Sequence, residues 1–566
     1  MTRIREHRAD RALVALVALA SLSACGSSEP AGPSLSELTP GSVASASNGQ
    51  SLQLAGGATG GEFLLVVSDT ATAGTGTSSY SVSSSSLSAP GTVSMPSTTL
   101  LAAGGAGLSD AAPPGPQLDI SFGARLNERS RARFESMMPA ARASLTANRS
   151  LLPTTPQTVQ VGDVLTLNVN SSSCDTIVNH QARVAAVGAK SIIVADLANP
   201  AGGFTDADYQ RFAADFDTLV YSVDAANFGT PADIDGNGRV ILFFTLAVNQ
   251  LTPANSSSYI GGFFSDRDLF PKTATARLQA CPASNVAEMF YLLAPDPSGS
   301  VNGNVRTKGF VDSLTDGVVG HEFQHLINAS RRIYVNNATA LEVVWLNEGL
   351  SHIAEELLFY RQGGLTPRQN ISVTTIRSSA VAINAFNTDQ AANAARYRRY
   401  LIAPSANSPI RNDDSLATRG ATWDFLRYAA DRKLRNGGQD SDVWQALVNS
   451  TSVGLDNLKG VFGTDIGALF RDWSVSQYTD DLVTTASADV MQPSWNWHSI
   501  YPALGNGGGT YPLLVNPLST TASGTVIPGG AAFYRFAVAA NTIGSITISG
   551  GTTASGLPQG SVIRIR

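Results

Sequence analysis

The sequence predicts a multidomain α+β protein: a central unit with strands first and helices after, flanked by small all-β modules. Both ends are rich in Ser, Thr and Gly and carry short apolar runs between turns, as strands do. The middle instead places apolar residues at helical spacing, over residues 311–327 and again from Leu341 to Leu358. A length of 566 residues leaves room for several such units.

In chain order, Arg3, Arg5, Arg8 and Arg11 precede an apolar run over residues 12–20. That reads as an export signal, too short for a lasting membrane helix. It ends in Leu22-Ser23-Ala24-Cys25-Gly26, which resembles a bacterial lipobox and implies lipidation of Cys25. A plain secretory signal is the alternative. Residues 1–25 are thus a lipoprotein signal peptide, and 26–40, rich in Ser, Gly and Pro, a flexible tether. Residues 41–115 read as a β-sandwich-like module. Residues 116–203 read as a connector helix over 125–145 and a small β-barrel-like subdomain with strands over 158–170 and 182–197. The central unit, 204–501, opens with a helix over 206–220. Its strands fall near 240–247, 260–264 and 289–293, and its later segments, 391–401, 417–435, 441–448 and 466–478, are helical. Residues 502–566 read as a C-terminal β-module with strands over 531–538 and 542–548, small in itself or completing another sheet.

The chemistry concentrates in His321-Glu322-Phe323-Gln324-His325. Residues i and i+4 share a helix face, so both imidazoles reach one metal ion. Glu322 lies close enough to take a proton from water on that metal, the HExxH arrangement of zinc peptidases. The chain has only six histidines, which makes a chance pair at this spacing rare. Two histidines leave a catalytic zinc one protein ligand short. The helix-prone stretch Trp345-Leu346-Asn347-Glu348-Gly349-Leu350-Ser351-His352-Ile353-Ala354-Glu355 supplies Glu348, far enough downstream for the chain to turn back.

These two segments look like those of the gluzincin peptidases. WLNEG resembles the third-ligand segment of the aminopeptidase N family. HEFQHLIN followed by WLNEGLSHIAE most resembles the hyicolysin-like secreted neutral metallopeptidases. The resemblance is strong over about residues 309–360 and looser over 204–501. It implies a gluzincin-type core, with a mixed-sheet lobe, a helical lobe and the HExxH helix between them. It also implies one catalytic Zn2+ on His321, His325 and Glu348, and peptide-bond hydrolysis with Glu322 as general base. The GxMEN motif by which aminopeptidases read a substrate N-terminus is missing, since Ala287-Glu288-Met289-Phe290 does not match it. An endopeptidase is therefore expected, with an exopeptidase as one alternative. A catalytically inactive, surface-anchored binding protein is the other, and the intact Glu322 argues against it.

Thermolysin-like enzymes carry an aspartate four residues after the third ligand, where it orients a ligand histidine. His352 stands there in this chain, and Glu355, on the same helix face, is the candidate substitute. Asn347 belongs to the same shell. Tyr334, between the two ligand helices, is the candidate oxyanion donor, and Tyr428 a weaker one. A packing tyrosine is the alternative for both.

Asp233, Asp235 and Asn237 present oxygens at alternate positions, as a calcium loop does, so Ca2+ is a second candidate cofactor. Phe244 stands where an EF-hand would place glutamate, and a polar turn is the alternative. With Cys25 lipidated, Cys174 and Cys281 remain as a candidate disulfide, or as two buried thiols. The net charge of −6 and the lack of a basic cluster exclude a nucleic-acid partner. The expected partners are a protein or peptide substrate, and a membrane through the lipid anchor alone. The expected state is a monomer on a bacterial cell envelope, or a secreted one.

Overall fold

The computed structural model describes residues 35–46, 48–71, 76–91, 117–118, 120–138, 158–171, 173–256, 258–504, 509–550 and 558–566. The expected signal, Cys25 and most of the tether lie outside these residues.

Six strands build the central sheet: β1 (Val164–Asn168), β2 (Asn179–Val187), β3 (Ser191–Asp196), β4 (Val240–Thr245), β5 (Gly262–Phe264) and β6 (Met289–Leu293). Their order is β5-β6-β4-β3-β2-β1. The pairs β3/β4 and β4/β6 are parallel and the other three antiparallel, so the sheet is mixed. Ile193, Leu242, Phe244 and Phe290 pack on one face, and Ile192, Val194, Ile241 and Phe243 on the other. Burial of both faces explains why β3, β4 and β6 read as unbroken apolar runs. Strands β1 to β3 are part of this sheet, which corrects the expected barrel-like subdomain. Ser191–Asp196 is buried throughout because it runs inside the sheet between β4 and β2 with a hydrophobic cluster on each face.

Five helices position the site: α1 (Ile120–Met137), α2 (Lys308–Ser330), α3 (Val344–Gly363), α4 (Ala391–Leu401) and α5 (Leu416–Lys433). The Thr307 hydroxyl caps α2 by accepting from the Phe310 N–H. Gly364 ends α3 at φ 65°, a left-handed position that suits glycine. Helix α3 packs between α2 and α5, and α5 against α4. Trp423, Trp495, Trp497, Tyr397 and Tyr501 stack into the aromatic core of this helical half.

The two terminal β-segments interleave in one pair of sheets, so the C-terminal segment completes sheets begun by the N-terminal one rather than forming a module of its own. Ala531–Val538 pairs along its whole length with Gly61–Ser68, and Ile543–Gly550 lies between Ser51–Ala55 and Ser78–Ser85. Phe63, Leu65, Phe536, Ile546 and Ile548 fill the space between the sheets. The outer residues Leu64, Val66, Phe533 and Ile563 pack on Val475 and Val483 of the helical half. No helix among the described residues is long and apolar enough to cross a membrane.

Candidate metal centre

Helix α2 carries His321, Glu322 and His325, and α3 carries Glu348. His321 Nε2 lies 3.2 Å from His325 Nε2 and 3.4 Å from Glu348 Oε2, and His325 Nε2 lies 3.5 Å from Glu348 Oε1. Ligands of a tetrahedral zinc, each at about 2.05 Å, stand about 3.3 Å apart. The three side chains therefore fit one zinc ion. A second trio, His321, His352 and Glu355, shares His321; Glu355 also lines the cleft, whereas His352 is fully buried and does not.

Each histidine is oriented through its far nitrogen. His321 Nδ1 lies 2.9 Å from Glu355 Oε1, and His325 Nδ1 lies 3.0 Å from Ser351 Oγ. The Ser351 hydroxyl donates to Gln324 Oε1 at 2.7 Å, which leaves its oxygen to accept from His325. Both Nε2 atoms then face the metal position with their lone pairs. Glu355 is itself held by Arg396, whose Nη1 donates to Oε2 at 2.9 Å, and lies 3.0 Å from His352 Nδ1. Burial pushes His352 down to about 3, so it is a neutral packing partner of Glu355.

Glu348 is held from two sides. Asn127 of α1 donates to Oε1 at 2.8 Å, and Arg419 of α5 lies 2.7 Å from Oε2. Burial alone would raise the Glu348 carboxyl, but Arg419 and the two histidines hold it well below the usual range. Asp414 closes the set by accepting from Arg419 Nε at 2.7 Å. Asn347 lines the cleft with its Oδ1 accepting from Asn328 at 2.8 Å.

Glu322 faces the same cleft, and its Oε2 accepts from the Phe264 N–H of edge strand β5 at 2.8 Å. Burial pushes its carboxyl up to about 7. The cleft, a cavity of about 190 Å³, is walled by α2, β5, α1 and the cationic side chains Arg396 and Arg419.

Two sequence candidates fall elsewhere. Tyr334 packs beside Leu269, Phe270 and Cys281, and its hydroxyl donates to the Leu269 carbonyl. It does not line the cleft. Nine residues past His325, a side chain on a continuing helix points about 180° away from it. The π-helical turn Arg331–Val335 that follows α2 does not bring Tyr334 back. Tyr428 is buried in the helical core, donating to the Asp489 carbonyl at 2.5 Å. The groups that do stand at the cleft, Arg396 and Arg419, escaped sequence reading, as did Asn127 and Ser351. Arg419 left one trace, an arginine among Ala417, Thr418, Gly420 and Ala421. Within the predicted calcium loop, Asn237 Oδ1 accepts from the Arg239 N–H at 2.6 Å and its Nδ2 donates to Asp235 Oδ2 at 2.6 Å. Cys174 and Cys281 are disulfide-bonded.

No family model matches the chain. It is similar to the neutral metalloprotease ShpI of Staphylococcus hyicus, at 26% identity over 270 residues. The match covers 46% of this chain and 57% of that protein, so the chain spans little more than half the length of its relative.

Proposed function

We propose that this chain is a zinc-dependent endopeptidase of the gluzincin type, acting on proteins or peptides outside the cytoplasm. The observation that carries the reading is the ligand triangle of His321, His325 and Glu348, with Glu322 on the same cleft. The metalloprotease relative supports the reaction class. The Cys174–Cys281 disulfide suits an oxidising compartment.

Zinc, when bound, supplies Lewis acidity toward a water and the scissile carbonyl. Everything else falls to the chain. With Oε2 of Glu322 held by Phe264 N–H, Oε1 is the atom that takes the proton of the attacking water and returns it to the leaving amine. Arg396 and Arg419 line the cleft and hold Glu355 and Glu348, the carboxylates that orient the first ligand and supply the third. Among the described residues edge strand β5 pairs only with β6, so its outer side offers backbone groups to an extended peptide. Helix α1 closes one side of the cleft through Asn127, so a peptide enters as that contact yields.

The test measures bound zinc and cleavage of an N-terminally blocked peptide, in the wild-type chain and in Glu322→Gln. Both forms should bind one zinc, and the variant should lose about 10²–10⁴-fold in rate. Zinc-loaded wild-type protein that cleaves no peptide or protein would overturn the proposal. Cleavage only of unblocked peptides would assign an exopeptidase instead.

A further inference from the structure

A second cluster of oxygen ligands lies away from the cleft, at the ends where β4 and β6 begin. The loop 233–238 leads into β4, and Glu288 immediately precedes β6. The parallel register sets Ile241 opposite Met289, and the Ile241 N–H donates to the Glu288 carbonyl at 2.8 Å. Register therefore carries Glu288 to the loop. One carboxylate oxygen each from Asp233, Asp235 and Glu288 lies within 4.8 Å of the others.

Glu288 is the informative member. It is 2% exposed. Its Oε1 accepts from the Ile234 N–H at 2.8 Å, while Oε2 is buried with no hydrogen-bond partner. None of the ion pairs among the described residues involves Asp233, Asp235 or Glu288. Three carboxylates thus converge, one of them buried and half-unsatisfied, with no cationic side chain in ion-pair contact among the described residues. An isolated buried carboxylate is costly unless it is paired or coordinates a metal.

We propose that Asp233, Asp235 and Glu288 form a structural calcium site. All donors are hard oxygens, which excludes the soft-metal classes. Calcium takes 6–8 oxygen ligands in flexible geometry, whereas magnesium dehydrates reluctantly and seldom takes a site made mostly of protein oxygens. Gly236 and Gly238, at φ 73° and 68°, let the loop curl back so that the Gly238 N–H reaches Asp233 Oδ1 at 3.1 Å.

The ion ties this loop to the far end of the motif helix. Ile234, inside the loop, packs with Ala329, Ile333 and Leu341. The Ala232 N–H donates to Ser330 Oγ, on the last residue of α2, at 3.2 Å. Calcium at this place fastens the C-terminal end of α2 to the sheet, and this holds whatever reaction the cleft performs.

The experiment uses the full chain, freed of calcium on a chelating resin and resupplied with one equivalent of zinc. Calcium chloride or magnesium chloride is then titrated while thermal unfolding and heat of binding are followed. Calcium should bind at one site and raise the melting temperature by about 3 °C or more at saturation. Glu288→Gln should weaken calcium binding at least tenfold and abolish the shift. Without calcium it should melt no lower than wild type, because it removes a repelling charge. Asp235→Asn, at a partly exposed position, gives a second variant with the same expected loss. No shift in the wild-type chain up to millimolar calcium, an equal shift with magnesium, or an undiminished shift in both variants would overturn the proposal.

Discussion

Replacing Glu355 by glutamine tests the shell of the metal centre without touching a ligand. The carboxylate accepts from His321 Nδ1 at 2.9 Å and from Arg396 Nη1 at 2.9 Å, and it is 7% exposed. Glutamine keeps the shape and removes the charge. His321 then loses the anion that fixes its tautomer and raises its basicity, an effect that typically changes metal affinity 10–100-fold, or about 1.4–2.7 kcal/mol. Arg396, its side chain 11% exposed, loses its ion-pair partner at the same time. Breaking a buried pair from one side costs more than removing both members. Glu355→Gln is thus expected to bind zinc 10–100-fold more weakly than wild type in competition with a chromophoric chelator. Glu355→Gln with Arg396→Met should regain thermal stability relative to the single variant but not zinc affinity. Unchanged affinity in Glu355→Gln, with the fold intact by circular dichroism, would refute the assignment of Glu355 as the residue that positions His321.

Arg419→Met leaves Glu348 and Asp414 as uncompensated buried carboxylates, so a loss of about 3–5 kcal/mol is expected in urea unfolding of the zinc-free chain. Part of that loss should return on adding Asp414→Asn. Asp424 is fully enclosed, and burial pushes it up to about 7 despite hydrogen bonds from the indoles of Trp473 and Trp497. Its folded-state value lies above the unfolded one near 3.8, so the fold holds the extra proton between those values and stability falls as pH rises from about 4 to 7. The contribution is on the order of 4 kcal/mol, and Asp424→Asn should flatten that part of the stability–pH curve. Asn127→Ala removes the contact of α1 with Glu348, a charge-assisted hydrogen bond of about 1.5–3 kcal/mol, and should raise peptide turnover by easing entry. Equal or lower turnover would show that α1 supports the site rather than covering it.

What the sequence made legible was local. The pair His321 and His325 follows from helical periodicity, and Glu348 and Glu355 share one face of the next helix, so their spacing alone brings them together. Long-range pairing was not legible. The apolar run Ala531–Val538 reads as a strand but does not show that Gly61–Ser68, far away in the chain, is its partner. The same blindness split β1 to β3 from the sheet they belong to, because a strand's neighbours are chosen in three dimensions. Glu288 belongs to this class too. It lies about fifty residues from the loop that needs it, and only the β4/β6 register carries it there.

The charged shell around the metal centre is built by residues that have no chemistry of their own. A Cβ at Gly320 would stand 2.6 Å from Leu358 Cδ1, so α2 and α3 approach where a side chain would part them. At Gly349 the obstacle is Thr422 Cγ2 at 2.5 Å, and at Gly420 it is the Arg396 backbone carbon at 2.3 Å. A clash with a side-chain tip yields by rotation, whereas a clash with backbone moves a helix. Gly420 is therefore the strictest of the three, and it lies between α5 and α4, beside both Arg419 and Arg396. These two arginines reach Glu348 and Glu355, one on the third ligand and one on the carboxylate that orients the first. The spacing of two helices thus sets the charge around a site that neither helix ligates, and a reading of motifs alone has no access to that spacing.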